Sequence, residues 1–375
     1  MKTYLKIFMV VIMLLVVILA DFLCAAIIVN EDKPAKGEYV FPLNPVWQAD
    51  GAGDTPFGNV VSIPVSDSGY VYCRDLKNKE YYIFDNDGKF IGKFGTSGEG
   101  PGEVKQIGRA NVSVIGDKVI IQDIDKIIFY SREGKFIRSV LNSSDSRPAA
   151  VFLNEDEFIS APTSIIRAKD SKAQMKYVNL KTGQEKVITD FTLFKGGSIQ
   201  RDNVQAAAVI PTITPVMVVG RHGDKLYFGM NDKYEIYITD LDGKEHGSFS
   251  LKRKRTSVSL KQKEDLMLRL IKGLAPDDLA RQLAKTLPDE ETYFANIVSE
   301  KGLLYIYRSH FAPASQQQID IFSLDGKYLY RGFIKVEEGF TIAAGPTIHN
   351  NSIYMVLEDQ DGELTLNKYN TVLPR

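Results

Sequence analysis

Asp85-Asn86-Asp87-Gly88-Lys89-Phe90 separates two short β-patterned runs, Tyr81–Phe84 and Phe90–Phe94. Asp-Gly between such runs is a hairpin signal, because glycine takes a positive φ without steric penalty. Ser131-Arg132-Glu133-Gly134-Lys135-Phe136 repeats the pattern. Leu180-Lys181-Thr182-Gly183, Asp240-Leu241-Asp242-Gly243-Lys244 and Ser323-Leu324-Asp325-Gly326-Lys327 recur in similar settings. Successive glycines of this series lie 46, 49, 60 and 83 residues apart. The first two intervals set a period, and the last two are that period with insertions.

A second turn precedes each of these: Ser66-Asp67-Ser68-Gly69, Ile115-Gly116-Asp117, Asn154-Glu155-Asp156, His222-Gly223-Asp224, Glu300-Lys301-Gly302 and His349-Asn350-Asn351. Each unit therefore reads strand, turn, strand, loop, strand, glycine turn, strand. Four antiparallel strands in about 45 residues make a β-propeller blade. Six units follow, at 58–94, 105–140, 149–191, 213–250, 292–334 and 345–371. The sixth ends after three strands, and an orphan β-like segment, Glu38 to Trp47, precedes the first. That segment is expected to supply the missing outer strand and close the ring, which removes exposed sheet edges. Pro42 and Pro45 are compatible with an outermost strand, one side of which is unpaired. The fold class is thus all-β: a six-bladed β-propeller over 38–375, closed by an N-terminal strand.

Phe94-Gly95-Thr96-Ser97-Gly98-Glu99-Gly100-Pro101-Gly102-Glu103-Val104 resembles the glycine-rich link between NHL-type repeats, and Tyr70-Val71-Tyr72-Cys73-Arg74-Asp75 resembles a flanking strand. The resemblance is clear in blades one and two, and blades three to six follow by spacing. The chain is similar to exported bacterial six-bladed propellers of NHL-repeat-like, TolB-like type. The resemblance implies a fold and carries no chemistry with it.

Composition limits the function classes. The 375 residues hold 46 Lys plus Arg against 47 Asp plus Glu, a formal charge of −1, so no whole-chain basic field for nucleic acid exists. Two cysteines and four histidines make neither a disulfide scaffold nor a histidine-rich metal centre. Gly95, Gly98, Gly100 and Gly102 are not a phosphate loop, because no Gly-Lys-Ser/Thr follows. No Gly-x-Ser-x-Gly nucleophile elbow is present.

The first thirty residues are of a different material. Lys2 and Lys6 precede an apolar run, Ile7 to Ala20, which resumes after Asp21 from Phe22 to Val29. A basic start followed by an apolar core is an export pattern, and the lysines place the remainder outside. Three readings stay open: a cleaved signal within 1–30, a retained anchor over residues 7–29, and lipidation at Cys24. All put the propeller at the periplasmic or extracellular face. Cys73, without an outer partner, is expected in the core.

Propeller ligands sit at the channel mouth, on the face built by loops between second and third strands and by crossovers between blades. The second strands end in Arg74-Asp75, Gln122-Asp123, Ser160, Met230-Asn231-Asp232, Arg308-Ser309-His310 and Glu358-Asp359. Arg74, Asp75, Asp123, Asp125, Asn231, Asp232, Arg308, His310 and Glu358 are therefore the candidate ligand-binding residues. A ring of this kind can hold a polar ligand or a divalent cation through carboxylate oxygens. The competing reading is that each Asp or Asn caps its own loop. Among histidines only His310 falls at a mouth position, so a three-histidine zinc site fails by placement.

The insertion at 257–287, between blades four and five, is the most individual feature. Lys261–Leu274 has a helical pattern with Leu266, Leu270 and Leu274 four apart, and Ser259 with Gln262 reads as a capping box. Pro276 opens a second short helix through Ala284. As part of a crossover the pair is expected over the mouth, as a lid, a docking element or an ornament on the blade edges. The basic run Lys252-Arg253-Lys254-Arg255 before it reads as a lipid or partner contact, or as a solvated strand end.

Two function classes follow. One is an exported, non-catalytic propeller without a cofactor that binds a protein, peptide or glycan. The alternative is a lactonase-like hydrolase holding a metal on channel carboxylates.

Overall fold

A computed structural model of the chain describes residues 26–108, 110–141, 148–162, 172–194, 198–201, 204–207, 210–270, 276–309 and 314–375. Six four-stranded antiparallel sheets are arranged in chain order, each carrying the next strand outward. Blade one, for example, runs Val60–Ser62, Val71–Asp75, Glu80–Phe84 and Phe90–Phe94, and the Asp85–Gly88 hairpin joins its two outer strands. Gly88 has φ of +81°, as the turn requires. A Cβ there would also lie 2.5 Å from the Trp47 ring, so the position accepts glycine alone.

Alternating side chains put one apolar face of each blade against each neighbour. Tyr72, Tyr81, Ile83 and Phe94 of blade one meet Val119, Ile121 and Tyr130 of blade two. Tyr227, Ile236 and Phe249 of blade four meet Phe294, Leu304 and Phe322 of blade five. The seam that closes the ring joins Tyr354, Val356 and Leu366 of blade six to Val71, Tyr82 and Phe84 of blade one. Cys73 is fully buried in that seam, where desolvation raises its thiol pKa.

Residues 26–49 form a strap over the outer rims of three blades. The strands are β1 (Ala26–Glu31), β2 (Glu38–Val40) and β3 (Asn44–Ala49). β1 adds in parallel to Glu245–Lys252, the outer strand of blade four, and β2 adds in parallel to Tyr328–Lys335 of blade five. β3 pairs antiparallel with Leu364–Asn370 and supplies the fourth strand of blade six. The orphan segment is thus divided, with only its second half closing the ring. Pro45 lies where the β3 register shifts, on the ladder's irregular edge. Trp47 and Lys368 both bond Asn86 of blade one, at 2.9 Å and 2.6 Å.

The apolar run Phe22–Val29 is also divided, because residues 26–29 belong to β1. The rest of the proposed span, Cys24 included, lies outside the described residues. No helix among the described residues is long and apolar enough to cross a membrane.

Ion pairing fixes the far end of the strap. Arg253, with a side chain only 7% exposed, donates to Asp320 in blade five and to Asp32 in the strap. Arg331 also donates to Asp32, at 2.6 Å. Lys252 pairs with Glu31, and Arg255 pairs with Glu290. The basic run therefore has intramolecular partners at three of its four positions. A strand end that would repel itself in isolation is neutralised by acids from distant parts of the chain. Burial pushes the Asp32 pKa up, but hydrogen bonds and charge from Arg253 and Arg331 outweigh it and hold the group below its ordinary 3.8. A depressed carboxylate contributes stability that is complete above its unfolded pKa and lost as pH falls through the folded one. Asp32→Asn should accordingly leave a melting profile that varies less than wild type below pH 4. Identical acid branches in a pH series of thermal melts would contradict this.

Candidate functional site

The inter-blade crossovers and the loops after second strands share one face of the ring. The glycine-rich link from blade one to blade two belongs to this face and is a tight crossover. Gly95, at φ +60°, packs where a Cβ would sit 2.8 Å from Ile121. Glu103 accepts from the Gly100 amide at 2.7 Å, and Tyr130 donates to the Gly102 carbonyl at 2.8 Å. The loop consumes its own polar groups.

The same economy governs three of the expected ligand residues. Asp75, fully buried, accepts from the amides of Gly58 (2.6 Å), Asn59 and Asn78 and from the Asn78 side chain. Asp123 accepts from the amides of Lys105, Gln106 and Ile124. Asn231 accepts from the Val216 amide and donates to the Pro211 carbonyl, both at 2.8 Å. In blades one, two and four the residue at the end of the second strand thereby ties down the segment that enters the blade. These side chains are aimed into backbone.

The other candidates are freer. Arg74 donates from Nη1 to the Ala110 carbonyl, while its buried Nε has no partner, and desolvation lowers its pKa. Asp125 is exposed and pairs with Lys105 at 3.7 Å. Arg308 donates to Gln318 at 2.9 Å and to Thr256 at 3.4 Å. Asp232 and Glu358 are half-buried at their strand ends. His310 lies outside the described residues. Among the described residues no hydrogen bond or ion pair joins one candidate to another. No three His, Cys, Asp or Glu of the described residues converge as metal ligands would.

The crossover from blade four to blade five carries α1 (Leu260–Leu270) and α2 (Asp277–Thr286). The capping box forms as a reciprocal pair, Gln262 N–H to Ser259 Oγ and Ser259 N–H to Gln262 Oε1. Leu266 and Met267 pack with Ala280, Leu283, Ala284 and Leu287, over Ile213 and Val258. Leu270 is exposed, so the stripe read from the sequence turns away after its first member. Lys263 takes an inward place instead. Its buried ammonium donates to the Leu287 carbonyl at 3.0 Å and to Asp289 at 2.7 Å. Leu274 lies outside the described residues.

At the end of α1, desolvation lowers the Arg269 pKa and the charge of Glu358 raises it. Glu358 ends the second strand of blade six. Glu358, whose charge acts on Arg269, belongs to blade six, which the insertion does not join. A hairpin, Ser198–Arg201 with Val204–Ala207, lies beside α2 in the crossover from blade three. Sequence spacing registers this second insertion only as extra length.

Asp123→Ala should cost about 1–3 kcal/mol, because three amides at the crossover lose their acceptor. Asp232→Ala should stay within about 0.5 kcal/mol, as a surface change does. Equal effects in chemical denaturation would refute this division between loop-holding and free residues.

Comparisons agree with the architecture. Residues 52–200 match the DUF5128 family, described as a 6-bladed beta-propeller. An exported protein of Bacteroides fragilis NCTC 9343, so named, is similar in structure at TM-score 0.52 and 13% identity, over 92% of this chain and 99% of that one. A DUF4221 family member from Bacteroides vulgatus is similar at TM-score 0.52 and 10% identity, over 88% and 98%. At these identities the likeness concerns the fold alone. No curated protein sequence matches the chain. The chain is a six-bladed β-propeller.

Proposed function

We propose that this six-bladed propeller is an exported, non-catalytic binding protein that takes a protein, peptide or glycan segment at its crossover face. The observation that carries the reading is the packing of α1 and α2 over Ile213 and Val258, on the crossover side of blade four. Helices standing there give the mouth a wall on one side. Arg74, Asp125, Lys105 and Lys126 line the loops of blades one and two, where charges of both signs remain. A mixed-sign surface beside a wall suits a polar chain held by several modest contacts. Export is supported by Lys2 and Lys6 before the apolar run, and by the fold shared with a protein named as exported.

The hydrolase reading has less support. A carboxylate metal centre needs several oxygen ligands facing one point. Asp75 and Asp123 spend theirs on backbone amides. Ca²⁺ or Zn²⁺ raising the melting temperature of wild type but not of an Asp123/Asp232 double variant would restore it.

A photo-crosslinking residue at Asp125 or Arg269, in cells expressing the full chain, tests the binding reading. Both positions should trap the same species, and Asn350, in a turn on the opposite face, should trap none of it. Equal trapping from Asn350, or no shared species from the two mouth positions, would reject a crossover-face ligand.

A further inference from the structure

The strap also orients the ring. β1 begins at Ala26 opposite Gly247, beside the Asp240–Lys244 hairpin turn of blade four, and runs toward the crossover side. In the sequence the apolar run Phe22–Val29 overlaps the start of β1. Along β1 the side chains alternate. Ile28 packs into the core between blades four and five, while Ile27 and Val29 point outward and are 74% and 55% exposed. At about 3.3 Å per residue, Glu31 stands roughly 17 Å farther along the strand than Ala26. There the Glu31–Lys252 pair and the Asp32–Arg253–Arg331 cluster clamp the strap.

We propose that the hairpin-turn edge of blade four, with Ile27 and Val29 outermost, rests on a lipid surface and directs the crossover face away from it. The inference rests on the tethered form of the export reading. It holds equally for a retained span and for a lipid on Cys24, because either ends within a few residues of Ala26. A span ending at residue 25 would draw on Ile7–Ala25, and a bilayer crossing takes about 20 residues. β1 is paired along its whole length, so the described chain starts fixed at that edge, directly after the apolar run of the sequence. Near the turn Lys186 pairs with Asp242 at 2.7 Å and His246 lies 3.5 Å from Asp240. The exposed Lys244 and Glu245 offset each other in sign, so no net positive patch faces the surface. The contact is therefore apolar and does not require anionic lipid.

The test places a single tryptophan reporter on the full-length chain in phosphatidylcholine vesicles, with and without brominated acyl chains. Ile27→Trp and Leu141→Trp are compared in a Trp47→Phe background; Leu141, in the outer strand of blade two, is 82% exposed. The Ile27 reporter should lose most of its emission to brominated lipid, and the Leu141 reporter should keep its own. The same pair in the Trp47-containing chain, read as emission added to wild type, guards against a folding defect of Trp47→Phe. Vesicle-bound protein with both reporters equally unquenched would overturn the orientation while leaving the tether intact. Protein recovered free of the vesicles would overturn the tether and this inference with it.

Discussion

Asp320→Ala should lower the unfolding free energy by about 3–5 kcal/mol, the largest loss expected of any single substitution outside the apolar core. Asp320 is fully buried. It accepts from Arg253 Nη1 at 2.6 Å, from Tyr328 at 2.7 Å and from Tyr234 at 2.9 Å. Burial, then the Asp320 charge, raises the pKa of both tyrosines and keeps them as donors. Removing the carboxylate strands a buried guanidinium and two hydroxyls together. Asp32, the remaining acid, is more exposed and is shared with Arg331. Breaking one side of a buried pair costs more than removing both, because the survivor keeps its desolvation penalty. Arg253→Met combined with Asp320→Leu should therefore cost less than the two single changes added together. Chemical denaturation at neutral pH measures this. A loss under about 1 kcal/mol for Asp320→Ala would show that Arg253 finds water or Asp32 sufficient.

Deleting residues 1–49 is the second large effect. It removes β3 and leaves the edge of Leu364–Asn370 unpaired, and it empties the Trp47 place against Gly88 and Tyr354. Loss of the Trp47 packing alone is comparable to an aromatic truncation, about 4 kcal/mol, or roughly 6 °C in melting temperature for a ring of this size. The opened edge adds a site for pairing with other chains. The expected result is a chain that melts early and elutes as aggregates in size-exclusion chromatography. Deletion of 1–31 removes β1 but spares β2, β3 and Asp32, and should leave a monomer with a smaller shift. Equal melting of both truncations would mean that ring closure does not depend on β3.

Much of the ring is legible in the residues because local rules produce it. Asp-Gly turns, the alternation of Tyr81–Phe84 and the 46- and 49-residue intervals depend on neighbours in sequence. The capping box of Ser259 and Gln262 is local in the same way. The functional face is less legible. Asp75, Asp123 and Asp125 look alike as acids after second strands, yet two hold crossovers and the third pairs with Lys105 at the surface. The difference is whether amides some 16 to 18 residues upstream come within bonding range, which no local pattern states. Lys263 offers a polar signal on a helix and is nonetheless buried, because the Leu287 carbonyl and Asp289 meet its ammonium.

The strap shows the division most clearly. From the sequence alone come six blades, a short sixth blade, a closing strand near Trp47 and an apolar N-terminal run. These follow from turn chemistry and periodicity, whose range is a few residues. Only the tertiary structure decides that the segment before the first blade splits among three rims, and that Arg253 answers acids 221 and 67 residues away. It also decides that α1 and α2 pack over Ile213, in the crossover that enters blade four from blade three. Such pairings are chosen by where closure of the ring brings unlike parts of the chain together, and by the cost of leaving a buried charge unmatched.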